Sequence, residues 1–238
     1  MAQGGTLAIA ELGTVAYQRA LDLQTAMVAA RLRGEIGDTL LLLEHPHVFT
    51  LGRGADERFI LARRSGVPVV RVSRGGQVTY HGPGQLVGYP ILKLDGAARD
   101  VTRYLRGLED ALLRALARCG IDARRRAGLT GVWVATRKIG SIGVGIRRWV
   151  TYHGFALNVS TDLSYFDSIV PCGISGCEMT SVAELGRPDI SVADFSEMVA
   201  DCFREVFGYP ASAFAASREI WQRVDPNPGS HAPEATDG

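Results

Sequence analysis

A cysteine and a lysine stand in the two segments of this sequence that are best suited to chemistry. Cys172 lies in the run 170–174, Val-Pro-Cys-Gly-Ile, where the proline holds it on a stiff, tight stretch of backbone. Lys138 stands in the glycine-broken run 137–143, Arg-Lys-Ile-Gly-Ser-Ile-Gly. If the two side chains meet, the ammonium favours the thiolate, which is the attacking form of cysteine. This pair predicts a cysteine-dependent acyltransferase.

A third segment, 74–86, places two groups of glycines between polar side chains, in the order Arg-Gly-Gly-Gln-Val-Thr-Tyr-His-Gly-Pro-Gly-Gln-Leu. Glycines allow backbone N–H groups to approach a ligand closely. Such donors suit a thioester carbonyl that becomes an oxyanion during acyl transfer. Taken alone, the segment fits a glycine-rich hairpin with a core histidine equally well, because one glycine-rich loop is weak evidence.

Composition sets the class of protein. The chain has 238 residues, 46% of them hydrophobic, and a formal net charge of +1. We expect one domain over residues 1–224 and a disordered tail over 225–238, which is rich in proline, glycine, serine and alanine. The charge balance does not predict a nucleic-acid binder. No signal-peptide pattern and no apolar run of about 20 residues occurs, so we expect a cytoplasmic protein without a membrane span.

The four cysteines do not form a CxxC pair, so neither a zinc ribbon nor a thioredoxin motif is indicated. Cys119 and Cys202 fall on the apolar faces of predicted helices, where buried, inert thiols are expected. Cys177 follows Cys172 closely. It is either a passive loop thiol or a redox partner that could trap an oxidised Cys172 as a disulfide.

Hydrophobic periodicity and capping residues predict an α+β fold, in which helices cover a mixed, largely antiparallel sheet. The predicted helices run from a Thr14 cap to Gly34, from an Asp100 cap to Cys119, and from a Ser191–Asp194 capping box to Gly208. The predicted strands cover 7–12, 39–44, 47–51, 67–73, 76–80, 85–93, 131–135, 138–147 and 151–159.

Several of these segments together resemble one family. They are the Glu-His-Pro at 44–46, the glycine-rich segment extended to 74–90, the runs 137–144 and 153–159, and Pro-Cys-Gly-Ile at 171–174. In this order they resemble the octanoyltransferases, also called lipoyl(octanoyl) transferases or lipoate-protein ligase B. The resemblance spans roughly residues 6–208. It implies the catalytic fold shared by lipoate-protein and biotin-protein ligases.

The resemblance also implies an activity, the first step of endogenous lipoate biosynthesis. An octanoyl group leaves the phosphopantetheine thioester of acyl carrier protein, forms a thioester on the enzyme and passes to a lysine of a lipoyl domain. The implied partners are octanoyl-acyl carrier protein, the lipoyl domains of 2-oxoacid dehydrogenase E2 subunits and the glycine cleavage H protein. No cofactor, metal, nucleic acid or membrane is implied.

By position, Cys172 matches the family's acyl-thioester cysteine and Lys138 matches its activating lysine. The substrate-binding positions that the resemblance implies are Arg74, Gly75, Gly76, Gln77, Val78, Thr79, Tyr80, His81, Ser141, Ile142, Gly143, Gly154, Phe155 and Ala156. Acyl carrier proteins are acidic, so a basic patch should meet them. Arg124, Arg125 and Arg126 with Arg147 and Arg148 are candidates, although an ordinary solvated charged face explains them equally well.

Other functions remain open from the sequence. An ATP-dependent lipoate ligase has the same implied fold but needs no nucleophilic cysteine, and a non-catalytic module could bind a lipoyl carrier. A hydrolase built from Cys172, His153 and Asn158 is disfavoured by strand alternation. A zinc site from the histidines would need ligands from three separate segments. The sequence leaves acyl-chain length and oligomeric state open.

Overall fold

The computed structural model describes residues 5–174 and 176–224, and the tail expected over 225–238 lies outside them. Four α-helices are described: α1 Tyr17–Arg33, α2 Val101–Arg118, α3 Val192–Phe207 and α4 Ser217–Val224. The strands are β1 Thr6–Thr14, β2 Thr39–Glu44, β3 Val48–Leu51, β4 Val69–Arg71, β5 Val78–His81, β6 Gln85–Ile91, β7 Arg124–Arg126, β8 Leu129–Val134, β9 Arg137–Arg147, β10 Val150–Asn158 and β11 Ala211–Phe214.

Most strands belong to an eight-stranded sheet in the order β11-β1-β2-β6-β10-β9-β8-β7. The pairs that β1 forms with β2 and β11 are parallel, and the pairs from β2 to β7 are antiparallel. A small sheet, β4-β3-β5, lies beside it. The predicted α+β class and the mixed, largely antiparallel sheet are therefore confirmed.

Helices cover both faces of the large sheet. Helix α2 buries one stripe, Tyr104, Leu108, Leu112 and Leu116, spaced three to four residues apart as one face of a helix requires. This stripe packs with α3 in one core, while α1 packs in a second core on the other face. Strand β2 is buried on both faces, which explains its continuous apolar run at 39–44.

Two of the three predicted helix starts are confirmed. The Asp100 side chain accepts from the Arg103 N–H, and Ser191 and Asp194 form the capping box at the start of α3. The Thr14 cap is wrong, because Thr14 still belongs to β1 and pairs with Glu44 of β2. Helix α1 begins instead after Ala16.

Three elements went unpredicted. Strand β7 consists of three exposed arginines, so it carries no apolar alternation. Strand β11 and helix α4 follow the helix that the sequence predicted to be the last. Among the helices of 5–174 and 176–224, none has the length and apolar character needed to cross a membrane.

Candidate active site

Cys172 and Lys138 meet. The Lys138 Nζ donates to the Cys172 Sγ at 3.0 Å and to the Thr130 carbonyl oxygen at 3.1 Å. The backbone brings the two residues together, because the segment that follows Cys172 runs beside the start of β9. There the Lys138 N–H donates to the Glu178 carbonyl and the Thr180 N–H donates to the Lys138 carbonyl. The two side chains therefore lie in contact, as the sequence predicts.

The Cys172 backbone is held in a sparsely populated conformation. Its φ of 58° and ψ of 13° are left-handed, inside a short 3₁₀ helix over Pro171–Gly173. Such a conformation is costly for a residue with a side chain and persists only when its surroundings enforce it. Here Pro171 fixes its own φ, and the Gly173 N–H donates to the Val170 carbonyl at 3.0 Å. In this conformation the thiol contacts the Lys138 ammonium.

Lys138 is 2% exposed, and its ammonium contacts no carboxylate in the part of the chain that the structure describes. A buried cation is costly unless an anion or several hydrogen bonds compensate it. Of the described groups in contact with the ammonium, the Cys172 sulfur is the one that can become an anion. The Lys138 ammonium is therefore placed to stabilise negative charge on that sulfur.

A cavity of about 230 Å³ opens beside the Cys172 sulfur. It lies between the 74–79 segment and the facing parts of β9 and β10. The predicted substrate-binding residues that line it are Arg74, Gly75, Gly76, Gln77, Val78, Thr79, His81, Ser141, Ile142, Gly143, Gly154, Phe155 and Ala156. The Ser141 Oγ is 4.0 Å from the Cys172 Sγ.

Glycines on both sides of the cavity allow the 74–76 backbone to pack closely against β9. A Cβ at Gly143 would lie 3.0 Å from the Gly75 carbonyl oxygen and 3.2 Å from the Arg74 Cδ. The Gly75 N–H donates to the Val144 carbonyl at 3.0 Å, which joins the 74–76 segment to β9. That N–H is therefore committed to the fold and is not a free oxyanion donor.

Tyr80 is the exception among the predicted substrate-binding residues, because its side chain packs away from the cavity. Its hydroxyl lies 2.7 Å from the His47 Nδ1, and its ring stacks on Tyr165 at 4.7 Å between centroids. The alternation of β5 is the reason, because successive side chains of a strand point to opposite faces. Thr79 and His81 line the cavity, and Tyr80 belongs to the core of the small sheet.

Sequence reasoning missed the wall that Tyr17, Tyr89 and His153 contribute. These residues come from α1, β6 and β10, and no local spacing relates them. The His45 Nδ1 donates to the Val15 carbonyl at 2.6 Å and its Nε2 accepts from the Tyr89 hydroxyl at 2.7 Å. Burial lowers the pKa of His45 to about 4 and the pKa of His153 to about 3. Both imidazoles are therefore neutral at pH 7.

Arg74 brings a guanidinium to the same wall and is 7% exposed. Its Nη2 donates to the Thr50 carbonyl and to the Thr50 Oγ1, both at 2.8 Å, and its Nη1 donates to the Gly75 carbonyl at 3.0 Å. Burial lowers its pKa, and the nearby Tyr17 and Cys172 oppose that shift when ionised. Arg74 thus adds a second cation to the cavity that holds the Cys172 thiol.

The competing site hypotheses find less support. The His153 ring nitrogens have no hydrogen-bond partner, and Asn158 binds the Thr180 carbonyl and the Gln85 side chain instead of a histidine. No Cys–His–Asn chain is therefore assembled. Over 5–174 and 176–224, no three histidine, cysteine or acidic side chains converge as metal ligands would.

Known proteins similar to this chain belong to one family. A family model described as the lipoyl protein ligase A/B catalytic domain matches residues 16–204. An octanoyltransferase from Solibacter usitatus is 49% identical over 215 residues, which cover 87% of this chain and 97% of that protein. An octanoyltransferase from Chloroflexus aurantiacus is 51% identical over 211 residues, covering 85% of this chain and 94% of the relative.

Solved structures share the fold at low sequence identity. A lipoate-protein ligase A bound with ATP has a TM-score of 0.69 at 17% identity, covering 93% of this chain and 94% of its own. A bi-partite lipoate protein ligase from Thermoplasma acidophilum has a TM-score of 0.66 at 18% identity, with 92% and 91% covered. These likenesses confirm the predicted catalytic fold.

Proposed function

This chain belongs to the lipoyl protein ligase A/B catalytic-domain family, and from that premise we propose that it is an octanoyltransferase working through a Cys172 thioester. The observation that carries the proposal is the 3.0 Å contact between the Lys138 Nζ and the Cys172 Sγ at the edge of the cavity. Relatives at about half identity that bear the name octanoyltransferase support the acyl group.

In the first half-reaction the Cys172 thiolate attacks the carbonyl carbon of the incoming octanoyl thioester. The bond between that carbon and the carrier sulfur breaks, and the carrier leaves as a thiolate. The Lys138 ammonium, which had paired with Cys172, gives this thiolate a proton. The products are the carrier thiol, an octanoyl thioester on Cys172 and a neutral Lys138 amine.

In the second half-reaction the ε-ammonium of the acceptor lysine loses one proton to the neutral Lys138. The resulting amine attacks the Cys172 thioester, the bond from carbon to the Cys172 sulfur breaks, and the new amide releases a second proton to solvent. Cys172 returns to thiolate and Lys138 to ammonium. A positioned proton carrier of this kind contributes about 10²–10⁴-fold to rate.

The partners follow from this chemistry. Protein lipoyl domains accept the acyl group, and we assign those of 2-oxoacid dehydrogenase E2 subunits and the glycine cleavage H protein. Octanoyl-acyl carrier protein is the donor, so the phosphopantetheine arm arrives with the substrate and no resident cofactor is needed. The described cysteines are all free thiols, which supports a cytoplasmic, reducing compartment.

Among the three β7 arginines, Arg126 is the candidate for contact with the acidic surface of the carrier. Arg124 pairs with Asp122, and Arg125 pairs with Glu109 and Asp110, so two of the three β7 arginines are committed. The Arg126 guanidinium instead lies over the Trp133 ring at 5.2 Å, while the Lys138 Nζ lies 5.4 Å from the same ring. Arg126 therefore offers positive charge one indole ring away from the reacting pair.

An ATP-dependent lipoate ligase is the second candidate, favoured by the likeness to the ATP-bound ligase. That likeness shows the fold alone. A ligase makes an acyl-adenylate and has no use for a thiol in contact with its lysine, so the Cys172–Lys138 pair supports the transferase.

Intact-mass analysis tests the proposal. Octanoyl-acyl carrier protein is incubated with the wild-type enzyme, without ATP, and the adduct is mapped by peptide digestion. One octanoyl group on Cys172 is expected, and Cys172→Ala should lose both the adduct and transfer while keeping its fold. Cys177→Ala is the matched control and should keep both. No adduct without ATP, or an adduct on Cys177, would contradict the proposal.

A further inference from the structure

Glu109 is a buried carboxylate outside the cavity. It lies on α2 with none of its side chain exposed. Its Oε1 accepts from the Gly131 N–H at 3.0 Å, and its Oε2 accepts from Arg106 Nη1 at 2.6 Å and Arg125 Nε at 2.8 Å. Burying a carboxylate is costly even when it is paired, so its contact with one particular backbone N–H calls for an explanation.

The Gly131 N–H belongs to the same peptide unit as the Thr130 carbonyl. That carbonyl accepts from the Lys138 Nζ at 3.1 Å. Because a trans peptide unit is planar, its N–H and C=O point in opposite directions, and fixing one fixes the other. The 130–131 peptide is therefore held between the carboxylate of Glu109 on one side and the ammonium of Lys138 on the other.

This peptide needs an external constraint. Gly131 has a φ of +125°, a conformation that residues with side chains rarely adopt, and glycine itself restrains it little. A Cβ there would lie 2.7 Å from the Lys138 Cε and 2.6 Å from the Gly140 carbonyl oxygen. The ladder between β8 and β9 is also irregular at Val132 and Trp133. The Lys138 side chain thus packs over Gly131, and the sheet alone does not fix the orientation of the 130–131 peptide.

We propose that Glu109 is a positioning residue for acyl transfer: it orients the 130–131 peptide so that the Thr130 carbonyl holds the Lys138 ammonium against the Cys172 sulfur. The inference rests on the proposed function of the pair. Without the carboxylate, the peptide can rotate, and Lys138 loses one of the two acceptors that fix its Nζ. The ammonium then no longer stays in contact with the sulfur.

The test measures the thiol itself. Alkylation of Cys172 by iodoacetamide, followed by peptide mapping across pH, reports the thiolate because only the thiolate reacts. Glu109→Ala should slow the alkylation of Cys172 at neutral pH relative to the wild type, because the ammonium no longer stabilises negative charge on the sulfur. Glu109→Gln keeps an oxygen for the Gly131 N–H and should recover most of the wild-type profile. In octanoyl transfer, Glu109→Ala should lower the single-turnover rate about tenfold or more.

Asp38 supplies the matched control. This 8% exposed carboxylate also accepts from a backbone N–H, that of Lys93 at 2.9 Å, and from an arginine, Arg31 at 2.8 Å. The carbonyl of that peptide, Leu92, accepts from the Thr151 N–H and not from Lys138. Asp38→Ala should lower the melting temperature and leave the alkylation profile of Cys172 unchanged.

An unchanged alkylation profile in Glu109→Ala, at any melting temperature, would overturn the inference and leave Glu109 a structural role. If Glu109→Ala does not fold, Arg125→Ala is the second variant, because it removes one of the two arginines that hold the Glu109 carboxylate. The Cys172 alkylation profile of Arg125→Ala should change in the same direction. An unchanged profile in Arg125→Ala would likewise overturn the inference. Failure of the proposed function would appear separately. The wild-type protein would then gain no octanoyl group, although the Cys172 alkylation profiles of wild type and Glu109→Ala would still differ.

Discussion

The two ends of the cavity hold different ionisable groups. At the mouth, the Lys138 ammonium is buried in contact with the Cys172 thiol. At the other wall, burial keeps His153 neutral, with a pKa of about 3, and also lowers the pKa of His81 well below its ordinary value. One end concentrates charge for bond making, while the histidines of the other end avoid carrying charge beside the substrate.

Strand geometry relates the two ends to the length of an acyl chain. Ser141 marks the mouth beside Cys172, and His153 pairs with Val144 farther along β9. At about 3.3 Å per residue, this separation is about 10 Å. An extended chain advances about 3.3–3.6 Å for every three bonds, so an octanoyl chain spans about 8–9 Å. We expect the tail of the chain to end at His153.

Removing the charge at the mouth should have the largest effect. Lys138→Ala should lower transfer at least about a hundredfold, and the loss should persist at pH 9. Thiolate formation alone predicts much less. Raising the thiolate fraction of an ordinary thiol from about 3% to one half increases the reactive form about 16-fold. The lower nucleophilicity of that thiolate reduces the rate about 5-fold, so the net gain is only about 3-fold. Rates of the two half-reactions across pH make the distinction.

Lys138→Arg separates charge from proton transfer. Arginine keeps the positive charge but does not give up a proton in this pH range. The variant should therefore form some octanoyl-enzyme and fail in transfer to the lipoyl domain. Near-normal transfer by Lys138→Arg would rule out the proton role and leave Lys138 a purely electrostatic one.

A change at His153 should alter which substrate is used more than how fast it reacts. His153 has a left-handed φ of 53°, so His153→Gly removes the imidazole and relieves the backbone at once. The ratio of decanoyl to octanoyl transfer should rise about tenfold or more, since a pocket distinguishes one methylene by about that factor. Tyr80→Phe is the control, because Tyr80 packs away from the cavity. An unchanged ratio in His153→Gly would place the end of the chain elsewhere.

The buried neutral histidines also predict a pH dependence of stability. The pKa of His45 is about 4 and that of His153 about 3 in the folded chain, against about 6.5 when unfolded. The unfolded state therefore binds more protons below pH 6.5, so stability is complete above that pH and decreases as the pH falls toward about 4. Melting temperatures from pH 7.5 to 4.5 should fall, and less steeply in His153→Gly. A flat profile would mean that these imidazoles are not buried neutral.

The same contrast explains how far sequence reasoning reached. The mouth is built from short motifs whose glycines and proline mark tight backbone, so its residues could be named in advance. The far wall joins Tyr17, Tyr89 and His153 from three elements, and only the sheet order brings them together. Glu109 resembled an ordinary helix charge, because its partner is a backbone N–H that no motif reveals. Tyr80 was misplaced because a contiguous motif ignored strand alternation.

The smallest effect is expected at Cys177. Burial raises the pKa of its thiol above the ordinary value, and a neighbouring Cys172 thiolate raises it further. A thiol held in its protonated form is a poor nucleophile, so it neither competes for the octanoyl group nor quickly traps an oxidised Cys172. Cys177→Ser should keep transfer within about twofold of wild type and lose activity to peroxide at the same rate. Slower inactivation in the variant, measured together with the recovery that a reducing agent gives to the wild type, would instead make Cys177 the redox partner of Cys172.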